Sequence, residues 1–451
     1  MSLPKYEEYR ESGLAWIGAV PAHWRGPISL GSISSMKGRL GWQGLKADEY
    51  RDEGPYVVSS AHFSEFKIRW DECPRVSDER YETDSNIQLE DGDVLLMKDG
   101  AAMGKLAFVA DLPGKSCLNS HLLLFRPLRS DETTPTYEPK FLFYYMQTGL
   151  FQEHIKVNGT GATFLGISQA AISKYRVVLP SLDEQAAVVF FLDRETTKID
   201  ALIAEQEKLI ALLAEKRQAT ISHAVTKGLN PNAPMKNSGV AWLGDVPTHW
   251  AVSALSYLAS IETGSTPDRA EPRYWNGSIP WLKTGEINWA PIREAEEFIT
   301  EAGLANSAAK TARPGTLLMA MYGQGVTRGR VALLEIEATY NQACAAIRFG
   351  RRLVPEFGRY FFMAAYDHVR DAGNETSQMN LSAGLIAKIR LPVPPVDEQV
   401  EVVRLLDSET AKLDVLQAEA ERAIALLKER RSALIAAAVT GQIDVRAIVN
   451  A

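Results

Sequence analysis

The residues with the chemistry to bind or react stand mostly on two glycine-broken stretches. GDVLLMKDGAAMGKLAFV, residues 92–109, sets Gly100 and Gly104-Lys105 between apolar runs, which suggests a phosphate loop. The spacing is one residue short, and Leu106 stands where a Ser or Thr would hold magnesium, so nucleotide hydrolysis fits poorly. A strand, a glycine-rich turn and a second strand fit better. PGTLLMAMYGQGVTRGRVALL, residues 314–334, occupies the equivalent place further along. In these stretches Lys98, Lys105, Arg328 and Arg330 are candidate contacts to phosphate or guanine, and Gln324 and Thr327 are candidate readers of base edges. Each also suits an ordinary solvated loop.

Two further pairs of segments carry small polar side chains. NGTGATFLGIS, residues 158–168, aligns with GNETSQMNLS, residues 373–382, through Ser168 and Ser382. Free backbone amides in such loops suit a sugar-phosphate backbone, which makes Thr160, Thr163, Thr376, Ser377 and Gln378 candidate DNA contacts. IPWLKTGEIN places Lys283 and Thr284 just after a strand, and its counterpart PYVVSSAHF offers Ser59, Ser60 and His62. Lys-Thr-Gly against Ser-Ser-Ala is the difference expected if the two halves bind different ligands or sequences, and neutral drift would produce it too.

Catalytic readings fare worse. Asp183-Glu184 and Asp397-Glu398 could pair as acid and base, but they follow prolines at the starts of helical patterns. There Asp183 and Asp397 serve better as N-caps, with Ser181 and Glu184 as a weak capping box in the first copy. The seven histidines show no HExxH or similar ligand spacing, so no metal site is expected. No glycine fingerprint opens a Rossmann unit. The Asn/Asp-Pro-Pro-aromatic motif of an adenine methyltransferase is absent, Asn230-Pro231-Asn232 being the nearest string. Cys73, Cys117 and Cys344 are odd in number and lack CxxC spacing, which argues against a disulfide framework or a zinc site.

The elements that must position these residues come in duplicate. SGLAWIGAVPAHW, residues 12–24, returns 226 residues later as SGVAWLGDVPTHW, residues 238–250. A second repeat, residues 179–228 against 393–442, is offset by 214, so the ends match and the middle varies. The tails read as long helices. Leu406, Leu413, Ala420, Leu427 and Leu434 recur every seven residues with Leu416 and Ala423 beside them, and Leu192, Ile199, Gln206 and Leu213 do so with Leu202 and Leu209. Before each helix, short branched apolar runs broken by Gly, Pro, Asn or Asp predict strands and turns. Trp16, Pro21 and Trp24, like Trp242, Pro247 and Trp250, read as rigid apolar anchors at the entry to each globule.

The expected fold is therefore α+β, with two tandem-duplicated α/β domains. Each is followed by a long helix, and the helices pack as an antiparallel coiled coil with pseudo-two-fold symmetry. The boundaries are 1–182 for the first domain, 183–227 for its helix and 228–236 for a linker. The second domain spans 237–396 and its helix 397–440, and 441–451 forms a tail.

The 451 residues, 46% hydrophobic and 23% charged, suit an ordinary folded protein of two or more domains. No run approaches eighteen apolar residues and the start is polar and acidic, so a cytoplasmic protein without a signal peptide or membrane span is expected. The net charge of -7 offers no broad basic footprint for DNA. Charge must be locally segregated, or a partner must supply phosphate contacts.

With W-x-G-x-V-P-x-H-W before each globule, a proline-led DEQ opening each helix and the whole arrangement twice, the chain resembles the DNA-specificity subunits of type I restriction-modification systems. The resemblance covers nearly the whole chain. It implies that each globule reads one half of a split, asymmetric DNA target and that the paired helices hold the globules apart. It further implies docking of two methyltransferase subunits, with motor-nuclease restriction subunits joining them. No cofactor is then bound by this subunit; S-adenosylmethionine, ATP and magnesium belong to the partners. Two other readings remain: an enzyme with an unrecognised nuclease or methyltransferase site, and a coiled-coil scaffold that binds protein only.

Overall fold

The computed structural model describes residues 3–38, 49–161, 165–323, 326–371 and 380–446. Contacts divide the chain into two compact units that do not coincide with the halves of the sequence. The first joins Met1–Glu205 to Arg422–Ala451, and the second is Gln206–Glu421. The long helices run over Leu182–Lys227 and Val396–Val439. Each unit thus holds one globule, the beginning of that globule's own helix and the end of the other.

In the first unit the central sheet has the strand order Ser34–Lys37, Leu122–Pro127, Val94–Met97, Leu106–Phe108, antiparallel throughout. Its middle strands read as unbroken apolar runs because both faces are covered. Successive side chains of a strand point to opposite faces. Leu123 and Phe125 accordingly join Val94 and Leu96 in one core, under the helix Pro139–Gln147. Leu122 and Leu124 join Leu95 in another, against Val57, Val58, Cys73 and Cys117. The second unit repeats the plan with Ala259–Thr263, Cys344–Phe349, Leu317–Ala320 and Val331–Leu333. There Leu317 and Ile347 face one core and Leu318 and Cys344 the other. The three cysteines are buried and outside any disulfide, and burial pushes the thiols of Cys73 and Cys344 up to about 12.

The repeated phrase and the helix starts hold each other. Trp24 is 2% exposed, and its indole N–H donates to Glu184 Oε1 at 3.1 Å. The Tyr6 hydroxyl donates to the same oxygen at 2.7 Å, and His23 Nε2 lies 2.9 Å from Oε2. In the second unit Trp250 Nε1 donates to Glu398 Oε2 at 3.0 Å, with His249 Nε2 at 2.9 Å. The next residue does equivalent work: Gln185 Oε1 accepts the Glu138 N–H and Gln399 Oε1 accepts the Val354 N–H, each at 2.8 Å. Glu138 and Val354 are the N-cap residues of the helices Pro139–Gln147 and Pro355–Ala364, so these amides fix where the next helix begins.

The same tryptophans receive the end of the other helix. In the first unit Gly441, at φ +73°, lies so close to Pro21 and Trp24 that a Cβ would collide with the proline ring. In the second, Gly228 at φ +75° packs against Trp250 and Glu398, which would lie 3.0 and 3.1 Å from a Cβ. Further along, Arg431 Nε donates to Asp200 Oδ1 at 2.9 Å in the first unit, and Arg217 pairs with Asp414 in the second. Moving forward along one helix means moving backward along the other, so within each unit the two helix segments are antiparallel.

Four details differ from the sequence reading. Asp183 and Asp397 are the second residues of their helices, not N-caps. Ser181 caps the first helix by accepting the Glu184 N–H at 3.3 Å, while the Glu184 carboxylate is taken by Trp24, Tyr6 and His23 rather than by a capping box. The seam's second line is not the one the sequence reading paired with it. Leu192, Ile199, Leu213, Leu406, Leu413 and Ala420 are buried and Leu427 and Leu434 half-buried. Of the neighbouring line Leu202, Leu209 and Leu416 are exposed and only Ala423 is half-buried, while Thr196 and Thr410 are buried and Ile203, Ile210 and Ile424 half-buried in its place. Two paired helices cover only a narrow stripe of each other. Trp16, finally, is 48% exposed and stacks on Tyr175, so it anchors less than Trp24 does.

Glu184→Ala leaves the Trp24 indole and the Tyr6 hydroxyl without their shared acceptor. The expected loss is about 1–3 kcal/mol for each buried donor left unsatisfied. Glu184→Gln, which keeps an acceptor oxygen, should cost less. Urea unfolding followed by tryptophan fluorescence measures both.

Candidate nucleic-acid interface

In the first unit several strand ends and one loop converge through the backbone. Arg51–Val58 and Ser116–Leu118 run parallel, and Asn119 N–H, just beyond the second, donates to Val58 O at 2.9 Å. Lys98, the residue after Val94–Met97, donates its N–H to His121 O at 3.0 Å and accepts the Ile167 N–H at 2.8 Å. The Gly100 N–H donates to Leu165 O at 2.8 Å. Asn119 fixes the turn with its side chain, Oδ1 accepting the His121 N–H at 3.1 Å.

The second unit builds the same frame. Asn341 N–H donates to Leu282 O at 3.0 Å, Met321 N–H to Ala343 O at 2.8 Å and Leu381 N–H to Met321 O at 3.0 Å. Asn341 Oδ1 accepts the Ala343 N–H at 3.1 Å. The matching bonds equate Lys98 with Met321, Asp99 with Tyr322, His121 with Ala343, and Ser59 with Lys283. Scaffold asparagines are kept, and the side chains around them are not.

The candidate residues take different parts in this frame. Lys98 is half-buried, and its ammonium makes no hydrogen bond or ion pair among the described residues. Lys105 reaches back to Ser60 O at 3.2 Å and Phe63 O at 3.1 Å, so its charge is spent on holding the neighbouring turn. Ser59 and Ser60 open that turn, Ser60–His62, and the Ser59 N–H donates to His62 Nδ1 at 3.1 Å. Burial pushes the His62 ring below its ordinary value, which favours the neutral acceptor this bond requires. Thr160 is exposed and exchanges backbone bonds with Gly166, at 2.9 and 3.0 Å.

Lys283 in the second unit is committed internally: its ammonium lies 2.9 Å from Glu297 and 3.1 Å from Glu296, and these bonds hold its pKa above the ordinary lysine value. Thr284 begins the turn Thr284–Glu286. Thr327 O accepts the Arg330 N–H at 3.1 Å, tightening the turn between Leu317–Ala320 and Val331–Leu333. Arg328 is buried, with 9% exposure, and Arg330 is half-buried, with no hydrogen-bond partner for its Nε among the described residues. Thr163, Gln324, Thr376, Ser377 and Gln378 lie outside the described residues.

Sequence reasoning missed the pair formed by Asp99 Oδ1 and His121 Nδ1, 2.5 Å apart at the rim of the first frame. The partners are 22 positions apart on different strand ends, so no local spacing reveals them. It also missed the cluster in which Arg269 lies 3.8 Å from the Trp275 ring, 4.8 Å from the Trp281 ring and 2.6 Å from Glu297. Among the described residues no group of three or more His, Cys, Asp or Glu could hold a metal ion. No helix among them is long and apolar enough to cross a membrane.

Comparison with known proteins agrees with this duplicated frame. The putative type I restriction enzyme MjaX specificity subunit of Methanocaldococcus jannaschii is 22% identical over 439 residues, 95% of this chain and 96% of that one. The MjaIX specificity subunit of the same organism is 24% identical over 169 residues, and that alignment spans only 36% of this chain and 38% of the relative. A solved structure, described as the structural basis of complex assembly and conformational transition of the type I R-M system, superposes with a TM-score of 0.66 at 16% identity. That superposition covers 93% of this chain and 98% of the other. The family described as type I restriction modification DNA specificity domain matches twice, over residues 43–211 and 247–423. Because those two matches take in most of the sequence and fall one on each globule, the chain belongs to the type I restriction modification DNA specificity domain family.

Proposed function

We propose that this chain is the non-catalytic specificity subunit of a type I restriction-modification complex, with each unit reading one half of a split DNA target. The observation that carries the reading is the pair of matching frames whose scaffold asparagines, Asn119 and Asn341, agree while the side chains around them differ. Two readers that share a partner need the same scaffold, and two readers of different sequences need unlike groups at the rim. Each long helix takes part in both units, which suits a spacer that fixes the interval between half-sites. In this reading two methyltransferase subunits dock on the helices, and the exposed Leu202, Leu209 and Leu416 offer them apolar surface. The methyltransferase and restriction subunits bring S-adenosylmethionine, ATP and magnesium, and their basic surfaces offset the acidity of this chain. The complex works in the cytoplasm.

Long-read methylation mapping of the host with and without this gene tests the reading. A two-part adenine-methylation motif, its half-site centres about 10 base pairs apart, should vanish with the gene. Only continuous single-part motifs in the host would contradict it. Purified chain given DNA, magnesium and S-adenosylmethionine without partners should show no turnover, and turnover would favour an enzyme. Inserting residues between Leu192 and Leu213 should alter the preferred spacer or abolish assembly, as read from the same maps.

If Lys98 meets a phosphate, Lys98→Ala should weaken binding to all sequences alike. It should also lower the slope of log affinity against log salt by about 1. A salt titration of the assembled complex measures this.

A further inference from the structure

We propose that His121, held in place by Asp99, is a base-reading residue of the first unit and contacts the edge of one base pair in the half-site bound there. This rests on the DNA-reading role proposed above and goes beyond it by assigning the contact. Three observations carry it.

The first is geometric. His121 is anchored twice through its backbone, its N–H on Asn119 Oδ1 and its carbonyl on the Lys98 N–H. Its ring is anchored by Asp99 at Nδ1. Asp99 is itself fixed by a bridge to Gly166, where a Cβ would sit 3.1 Å from the Asp99 Cβ. The side chain is nonetheless 57% exposed, which leaves its remaining nitrogen, Nε2, as a single hydrogen-bonding atom on a fixed mount. Discriminating base edges requires a directed donor or acceptor of this kind. Neutral Nε2 accepts from an exocyclic amino group, and protonated Nε2–H donates to guanine N7 or O6.

The second observation is the difference between the units. The bonds that place Asn119 recur at Asn341, but Tyr322 and Ala343 stand where Asp99 and His121 would be. A pair needed for folding should recur with the frame it belongs to. The third concerns the competing chemistry: among the described residues no Ser, Thr or Cys side chain hydrogen-bonds His121, so none of them is placed as a nucleophile for the pair to activate. The ammonium of Lys98, next in sequence to Asp99, lies within the same frame to meet the backbone beside the base. Asp99 acts through His121 and is a positioning residue.

The test uses the complete complex with its methyltransferase, a randomised DNA library and S-adenosylmethionine. His121→Ala should relax the preference at one base-pair position by about tenfold or more, in one half-site only, with the melting temperature unchanged because an exposed pair contributes little stability. Asp99→Ala should relax the same position, and Asp99→Asn, which keeps an acceptor for Nδ1–H, should restore it. An unchanged preference at every position in His121→Ala overturns the assignment alone. So does uniform weakening of both half-sites with a lowered melting temperature. Failure of the unsubstituted complex to methylate any two-part target overturns the specificity-subunit reading and the assignment with it.

Discussion

A carboxylate accepting an indole N–H is the interaction on which the rest of this molecule depends. Glu184 and Glu398 each sit in the first turn of a long helix, where the helix dipole favours a negative charge. Each takes the N–H of a buried tryptophan and meets the histidine before it. A buried indole N–H without an acceptor is costly, so the tryptophan fixes the helix start as firmly as the helix start fixes the tryptophan. The glycine ending the other helix packs against the same ring. One contact therefore sets the entry to a globule, the start of one helix and the stop of the other.

From that junction the structure extends outward by ordinary bonds. Gln185 and Gln399 carry the placement to the helices Pro139–Gln147 and Pro355–Ala364, which cover one face of each central sheet. The sheets, buried on both faces, are stiff enough to hold their strand ends in register. At those ends Asn119 and Asn341 close matching turns, and the side chains mounted there are free to differ without disturbing anything beneath. A family of specificity proteins needs this separation, since new targets must be acquired without losing the fold or the partners.

The charged residues of the frames show how little a side chain's type says about its use. Lys98, Lys105 and Lys283 look interchangeable as DNA contacts. Lys105 holds backbone carbonyls, Lys283 is neutralised by Glu296 and Glu297, and only Lys98 keeps its charge unspent among the described residues. Competition for a cation is settled by the carboxylates and carbonyls that folding brings near it, and Glu297 also holds Arg269.

The sequence by itself determined the duplication, the α+β globules, the long helices and the family resemblance. Repetition, periodicity and apolar runs are local properties that survive without coordinates. It also placed the tryptophan anchors, because a phrase shared by two otherwise divergent halves must serve what they have in common. Tertiary structure alone decided that Glu184 faces Trp24 instead of capping its own helix, that each helix ends against the other copy's tryptophan, and that the seam's second line runs through Thr196 and Thr410 rather than through Leu202 and Leu416. It alone brought Asp99 to His121. These outcomes depend on contacts between residues tens to hundreds of positions apart, and spacing along the chain does not report which distant groups will compete for the same hydrogen bond.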